Sequence, residues 1–289
     1  MHAPHTVEHP AELLAFLLAC RPEVKRTKLR QWLKYGSVQV NGRAVTRSNH
    51  PLQTGDLVSI RAKNEVRAEG LLPPGMKVLF EDATLMVIEK PENLLSMASA
   101  TERDETAYAF LTDYVRRGNP QSRQRVWIVH RLDRESSGLM VFAKTQAAKR
   151  ALQAHWSTAV KRYLAVVEGN PPANHGVLRS HLDESGPFKV YSARPSERTR
   201  HAVTRYRVMK RTATRALIEL TAETGRRNQI RVHLADAACP IIGDDKYEAR
   251  TNPARRLGLH ASSLQFEHPL SGERLKFESP LPRDLARLL

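Results

Sequence analysis

The spacing of apolar and polar positions changes period several times along the chain, and each change marks an element. Residues 11–20 (AELLAFLLAC) carry apolar side chains at helical intervals. In 24–36 (VKRTKLRQWLKYG), Leu29, Trp32 and Leu33 share one face of a second helix, with Gly36 placed as its stop. Residues 37–45 (SVQVNGRAV) alternate about Asn41-Gly42, a strong hairpin signal, and 52–62 supply a further turn and strand. Residues 63–76 are polar and end in Pro73-Pro74-Gly75, the composition of a linker.

Beyond the linker, strands dominate. Two are expected about the turn Glu81-Asp82, then a helix over 105–118 ending at Gly118. Val126–Val129 and Leu139–Ala143 read as strands around a charged loop, followed by a helix over 146–157 and a strand over 161–169. Two alternating segments fill 203–225, a helix covers 227–237, and two strands meet at Leu270-Ser271-Gly272. The pattern predicts an α+β protein: a small N-terminal domain over 1–62, a linker over 63–76, and a domain over 77–289 built on a mixed, mainly antiparallel sheet.

Composition adds a partner. Lys and Arg number 46 against 30 Asp and Glu among the 289 residues, a net +16 that predicts affinity for a polyanion, most simply RNA or DNA. Residues 1–62 alone hold nine Lys or Arg against four Asp or Glu, leaving +5. Lys25, Arg26, Lys28, Arg30 and Lys34 crowd the polar surface of the second helix, and Arg43 follows the hairpin turn, so these six are the candidate phosphate contacts. Cys20 and Cys239 lie far apart with no CxxC, which argues against a disulfide framework or zinc site. The start lacks a basic secretory n-region, and the apolar run 13–20 is too short to cross a bilayer, so a cytoplasmic protein without membrane contact is expected.

Residues 130–145, HRLDRESSGLMVFAKT, set four charged side chains between two buried-looking strands. A carboxylate there costs desolvation energy unless paired, so Asp133 needs a partner, and Arg fits because its planar fork meets a carboxylate in two hydrogen bonds. Arg226, Arg227 and Arg231 in ETGRRNQIRVHL are the candidates. An Asp so held stays ionised, which suits a nucleophile or electrostatic stabiliser.

Two resemblances sharpen this reading. RTKLRQWLKYGSVQVNGRAV with LQTGDLVSI resembles the small RNA-binding domain of the ribosomal-protein "S-four" type, which implies structured RNA as ligand. HRLDRESSGLMVFAK is similar to the HRLD-x-x-T-S-G-L signature of the RluA-type pseudouridine synthases. KRYLAVVEG at 161, AETGRRNQIRVHLA at 222, GDDKY at 243 and GLHASSLQFEHP at 258 follow in the family's order, over about residues 77–282.

That resemblance implies isomerisation of uridine in RNA to pseudouridine without cofactor or metal; ribosomal RNA is favoured over transfer RNA as the target, and a monomer is expected. The resemblance makes Asp133 the essential aspartate, Tyr163 the active-site tyrosine, Arg231 the basic partner of the aspartate and Ile230 a wall of the base pocket. Arg131 matches the arginine that enters the RNA stack where the target base leaves; its bland alternative is a salt bridge to Glu135. His130 is expected to fix the loop by a hydrogen bond. Ser136 stands for the family's Thr, and Asn228 for its His, which removes a titrating group. Two other readings compete: a non-catalytic RNA-binding or ribosome-assembly factor on a synthase scaffold, and an RNA N-glycosidase using Glu135 as a second carboxyl.

Overall fold

A computed structural model describes residues 4–24, 26–34, 37–60, 71–99, 102–117, 119, 121–186 and 188–289. The chain forms two compact units, Met1–Pro73 with Ala109–Arg125, and Pro74–Tyr108 with Val126–Leu289.

In the first unit, strand β1 (His5–Thr6) precedes helices α1 (Leu13–Cys20) and α2 (Arg26–Lys34), then β2 (Val38–Val40), β3 (Arg43–Ala44) and β4 (Leu57–Ile60). The strands run antiparallel in the order β1-β4-β2-β3. Leu13 and Leu17 of α1 and Leu29 and Leu33 of α2 pack with Val38, Val58 and Ile60, which is the apolar face read from the sequence. Asn41 and Gly42 both take positive φ, 51° and 78°, the conformation a two-residue hairpin turn of this twist requires. Arg26, Arg30 and Arg43 are exposed and Lys28 is half-buried. Lys25 and the expected stop Gly36 lie outside the described residues, as does most of the expected linker, and Lys34 is placed only by its backbone in α2.

The second unit is a mixed, mainly antiparallel sheet, as expected, with eleven strands among the described residues. Its main members are β5 (Lys77–Glu81), β6 (Leu85–Lys90), β7 (Ser137–Ala143), β8 (Val160–Glu168), β9 (His175–Asp183), β10 (Thr199–Arg211), β11 (Arg215–Ala222), β12 (Leu259–Glu267) and β13 (Arg274–Glu278). The order is β9-β10-β11-β8-β12-β7-β6-β5, with Tyr191–Ala193 beyond β9, Trp127–Ile128 on β7 and β13 on β12. Helix α3 (Ala107–Val115), most of which groups with the first unit, is shorter than the expected 105–118. Helices α4 (Gln146–Ala154) and α5 (Gln229–Asp236) fall within their expected spans. The alternation near 203 begins earlier, at Thr199. Strand β9 has no counterpart in the sequence pattern: its residues are half-exposed over most of their length, so no apolar period marks them.

The parallel pair β7–β12 aims the charged loop. Ser137 and Gly138 lie beside His260 and Ala261, where the chain leaves the loop and enters the sheet. Gly138 has φ +116°, and a Cβ there would meet the Ala261 carbonyl oxygen at 2.3 Å. Only glycine allows the approach. Gly138→Ala is therefore expected to destabilise the second unit by about 3 kcal/mol through clash and backbone strain. Urea unfolding checks it, and a loss well under about 1 kcal/mol would mean that the strands part there without cost.

Candidate active site

The site is assembled from three segments. The loop before β7 supplies Arg131, Asp133 and Glu135; β8 supplies Tyr163; the start of α5 supplies Asn228, Ile230 and Arg231. A turn at 243–247 backs them. Arg131, Asp133, Tyr163, Asn228, Ile230 and Arg231 line one cavity of about 400 Å³, within the size range of a small-ligand pocket. The five side chains expected from the sequence to form an active site thus meet in one place.

Arg231 is the hub. Its side chain is 4% exposed, and its Nε and Nη2 donate to Oδ2 and Oδ1 of Asp244, both at 2.8 Å, while the Asp244 side chain is fully buried. Nη1 donates to Glu135 Oε2 at 3.1 Å and lies 3.7 Å from Asp133 Oδ2. Burial works against the cation, but the hydrogen bonds and charge of Asp244, with Asp133 and Glu135 behind it, outweigh that and hold the guanidinium above its ordinary range. The two-bond fork expected at Asp133 thus belongs to Asp244. A guanidinium has one edge for a bidentate grip, and the deeper carboxylate, which has no water to turn to, takes it. The alternative of an Arg131–Glu135 salt bridge is also corrected: Glu135 is engaged by Arg231, and Arg131 stands exposed.

Asn228 fills a role the sequence does not disclose. It sits at the N-cap of α5 in the left-handed region (φ 52°), a conformation Asn tolerates, and makes no capping bond. Instead its Nδ2 donates to Asp133 Oδ2 at 2.8 Å, while its Oδ1 accepts from Lys246 Nζ and Tyr247 Oη, each at 3.3 Å. Tyr247 Oη in turn accepts from the Val190 N–H at 3.2 Å, so its proton is free for Asn228. Donors on one side of the amide fix which end faces Asp133.

The backbone on either side of Asp133 is clamped. Ser96 Oγ donates to the Leu132 carbonyl (2.7 Å) and accepts from the Leu132 N–H (3.1 Å). Lys90, fully buried, donates from Nζ to the carbonyls of Pro91, Leu94 and Arg134 at 2.8, 2.7 and 3.2 Å. Burial draws the Lys90 ammonium down to about 7 against the pull of Asp133, Glu92 and Glu135. His130 Nε2 accepts from the Val141 N–H at 3.1 Å, and its ring stacks on Trp156. Burial pushes the Tyr163 phenol up to about 12, with the Asp133 charge adding, so Tyr163 keeps its proton at neutral pH and offers a donor rather than a base.

Among the described residues, no cluster of His, Cys, Asp and Glu is arranged to hold a metal ion, and no helix is long and apolar enough to cross a membrane.

The chain is similar to known proteins over most of its length. A sequence model of the family described as RNA pseudouridylate synthase matches residues 84–236. The uncharacterized RNA pseudouridine synthase YlyB of Bacillus subtilis (strain 168) is 33% identical over 282 residues, covering 95% of this chain and 91% of the relative. Ribosomal large subunit pseudouridine synthase D of Vibrio cholerae is 33% identical over 288 residues, covering 92% and 86%. The structure titled Human RNA Pseudouridylate Synthase Domain Containing 4 aligns with a TM-score of 0.59 at 26% identity, over 72% of this chain and 90% of that one. The chain belongs to the RNA pseudouridylate synthase family. It is an enzyme, an RNA pseudouridine synthase, which isomerises uridine in RNA to pseudouridine.

The buried pair gives a stability test. Asp244→Ala leaves the Arg231 guanidinium buried with one edge unsatisfied, a change that costs about 3–5 kcal/mol. Thermal and urea unfolding should show that loss. A variant as stable as the parent would mean that Arg231 leaves the interior freely and is no hub.

Proposed function

We propose that Asp133 acts directly on the target uridine, and that the target lies in ribosomal RNA. One observation carries the first part. Asn228 Nδ2 and Arg231 Nη1 both address Oδ2 of Asp133, so Oδ1 has no donor among the described residues, and the side chain is 19% exposed in the cavity. A carboxylate with one oxygen anchored and the other open is oriented for attack or charge stabilisation at the sugar or base.

The isomerisation breaks the N1–C1′ bond, turns the uracil in place, joins C5 to C1′, and moves one proton from C5 while N1 gains one. Tyr163 stacks on the uracil and, being protonated, offers it a hydrogen bond. Ile230, nearly buried, gives the base an apolar wall. Arg131, exposed beside the cavity, fills the gap left in the RNA when the uridine flips, which offsets part of the unstacking cost of a few kcal/mol. Glu135 is engaged by Arg231, which disfavours the glycosidase reading with its need for a second working carboxyl.

The relatives named for the ribosomal large subunit support ribosomal over transfer RNA. The first unit, with its basic helix and hairpin, serves as the RNA-binding domain, and the protein works where ribosomes are assembled, in the cytoplasm, as a monomer. The net +16 suits a large structured RNA.

Asp133→Asn should lower isomerisation by about 1,000-fold or more, the scale of removing a group that acts in the reaction itself. Its affinity for a large-subunit RNA fragment should stay within a few-fold, because phosphate contacts dominate binding. Tritium release from C5-labelled uridine together with filter binding reads both, and substantial turnover would remove Asp133 from the chemistry. The basic helix is tested separately. Changing Arg26, Lys28 and Arg30 together to Gln should flatten the plot of log affinity against log salt by about one unit for each phosphate the helix ceases to neutralise. An unchanged slope would show that α2 does not touch RNA.

A further inference from the structure

Most cations around the cavity are engaged by the protein itself. Arg231 is held by Asp244 and Glu135, Arg227 by the carbonyls of Glu184 and Gly186, and Arg226 Nε by the carbonyl of His201. Lys161 differs. It lies two residues before Tyr163 on β8, so both side chains stand on the same face of the sheet, and it lines the cavity half-buried. Among the described residues no carboxylate pairs with it. Its neighbour is the Trp156 ring, whose centroid is 5.9 Å from Nζ, and that ring stacks on His130 at 4.6 Å. Burial, with the Lys161 charge adding, holds His130 down to about 3, so the imidazole is neutral and supplies no counter-charge. Burial likewise draws the Lys161 ammonium below its ordinary range, with no carboxylate to offset it.

Half-burying an ammonium without a counter-ion is unfavourable, and an indole face recovers only part of the loss. In an enzyme acting on a polyanion, the missing partner is a phosphate. We infer that Lys161 Nζ binds a non-bridging oxygen of a phosphodiester next to the target uridine, fixing the flipped nucleotide's backbone while Asp133 faces the sugar and base. The inference rests on the cavity being the seat of that uridine. A uracil carbonyl is the competing acceptor, but a compact ammonium gains more from a full anion.

The test uses the full-length enzyme and an RNA fragment that it converts, synthesised with single neutral methylphosphonate linkages at each phosphate flanking the target. Lys161→Gln should lower kcat/KM on the all-phosphate RNA by about 10- to 100-fold, the range of a charge-assisted hydrogen bond, and Lys161→Arg should restore most of it. One methylphosphonate position should slow the parent by a similar factor yet cost Lys161→Gln nothing further. Lys161→Met, which keeps the packing on Trp156, is read alongside with unfolding midpoints. Coupling to one phosphate in either folded variant supports the site. Equal slowing of parent and variants at every position, or a Lys161→Gln enzyme as fast as the parent, overturns it. Turnover by Asp133→Asn would instead fault the cavity assignment, so the two failures are distinguishable.

Discussion

The buried grip of Arg231 on Asp244 is the interaction on which the rest of the site depends. A guanidinium at 4% exposure is costly unless its donors are used, and here three nitrogens serve three carboxylates from two other segments. The pair therefore does more than neutralise charge. It ties the first turn of α5 to the 243–247 turn on one edge and to the 133–135 loop on the other. Tyr247 completes the arrangement, with its ring 5.3 Å from the Arg231 guanidinium carbon and its hydroxyl on Asn228. Because the bidentate edge is occupied, Asp133 is left, among the described residues, with one ion-pair contact at 3.7 Å rather than a locked fork. A carboxylate clasped by both arms would be stable and less available. This one is oriented and open.

The same logic governs the backbone. Ser96 secures Leu132, Lys90 secures Arg134, and Gly138 lets the strand descend against Ala261, so the residues on both sides of Asp133 are fixed before any RNA arrives. Lys90 achieves this with three carbonyls, which use all three protons of an ammonium; a neutral amine has only two to give. Such preorganisation means that binding energy is not consumed in arranging the loop that carries Asp133. The loop carries charged residues between buried strands because the polar groups beneath it are supplied by the preceding strand and turn.

What the sequence discloses follows from how local each signal is. The hairpin at Asn41-Gly42 and the two helices of the first unit are legible because turn chemistry and apolar period are properties of adjacent residues. Asp133, Tyr163, Ile230 and Arg231 are legible because their motifs are contiguous. Asp244 is visible only as part of GDDKY, since which carboxylate an arginine's fork takes depends on relative depth, which spacing does not encode. Asn228 stands out as a departure from the family's His, yet its bond to Asp133 depends on a left-handed backbone at the helix start. Lys90 closes an apolar strand and looks like any solvated terminal lysine; only the turn of Pro91–Leu94 folding over it makes it buried. Strand β9 leaves no periodic trace because both of its faces are partly wet.

An active centre that gathers Asp133, Glu135 and Asp244 into one network faces an electrostatic problem when its substrate is a polyanion. One buried and two partly exposed carboxylates repel phosphate at short range unless compensated locally, since a distant surface charge is screened within about 10 Å. Arg231 balances the innermost of them, but one cation cannot balance three anions. The remainder of the compensation lies at the periphery: Arg131, Arg226 and Arg227 line the same cavity, as does Lys161, and Lys246 approaches from behind Asn228. The charge is thus layered, with anions deep in the cavity and cations around them. That layering reconciles an anionic cavity floor with an anionic substrate. In the binding we propose, the phosphates sit at the rim, where the cations are, and the uncharged base and sugar face the carboxylate within.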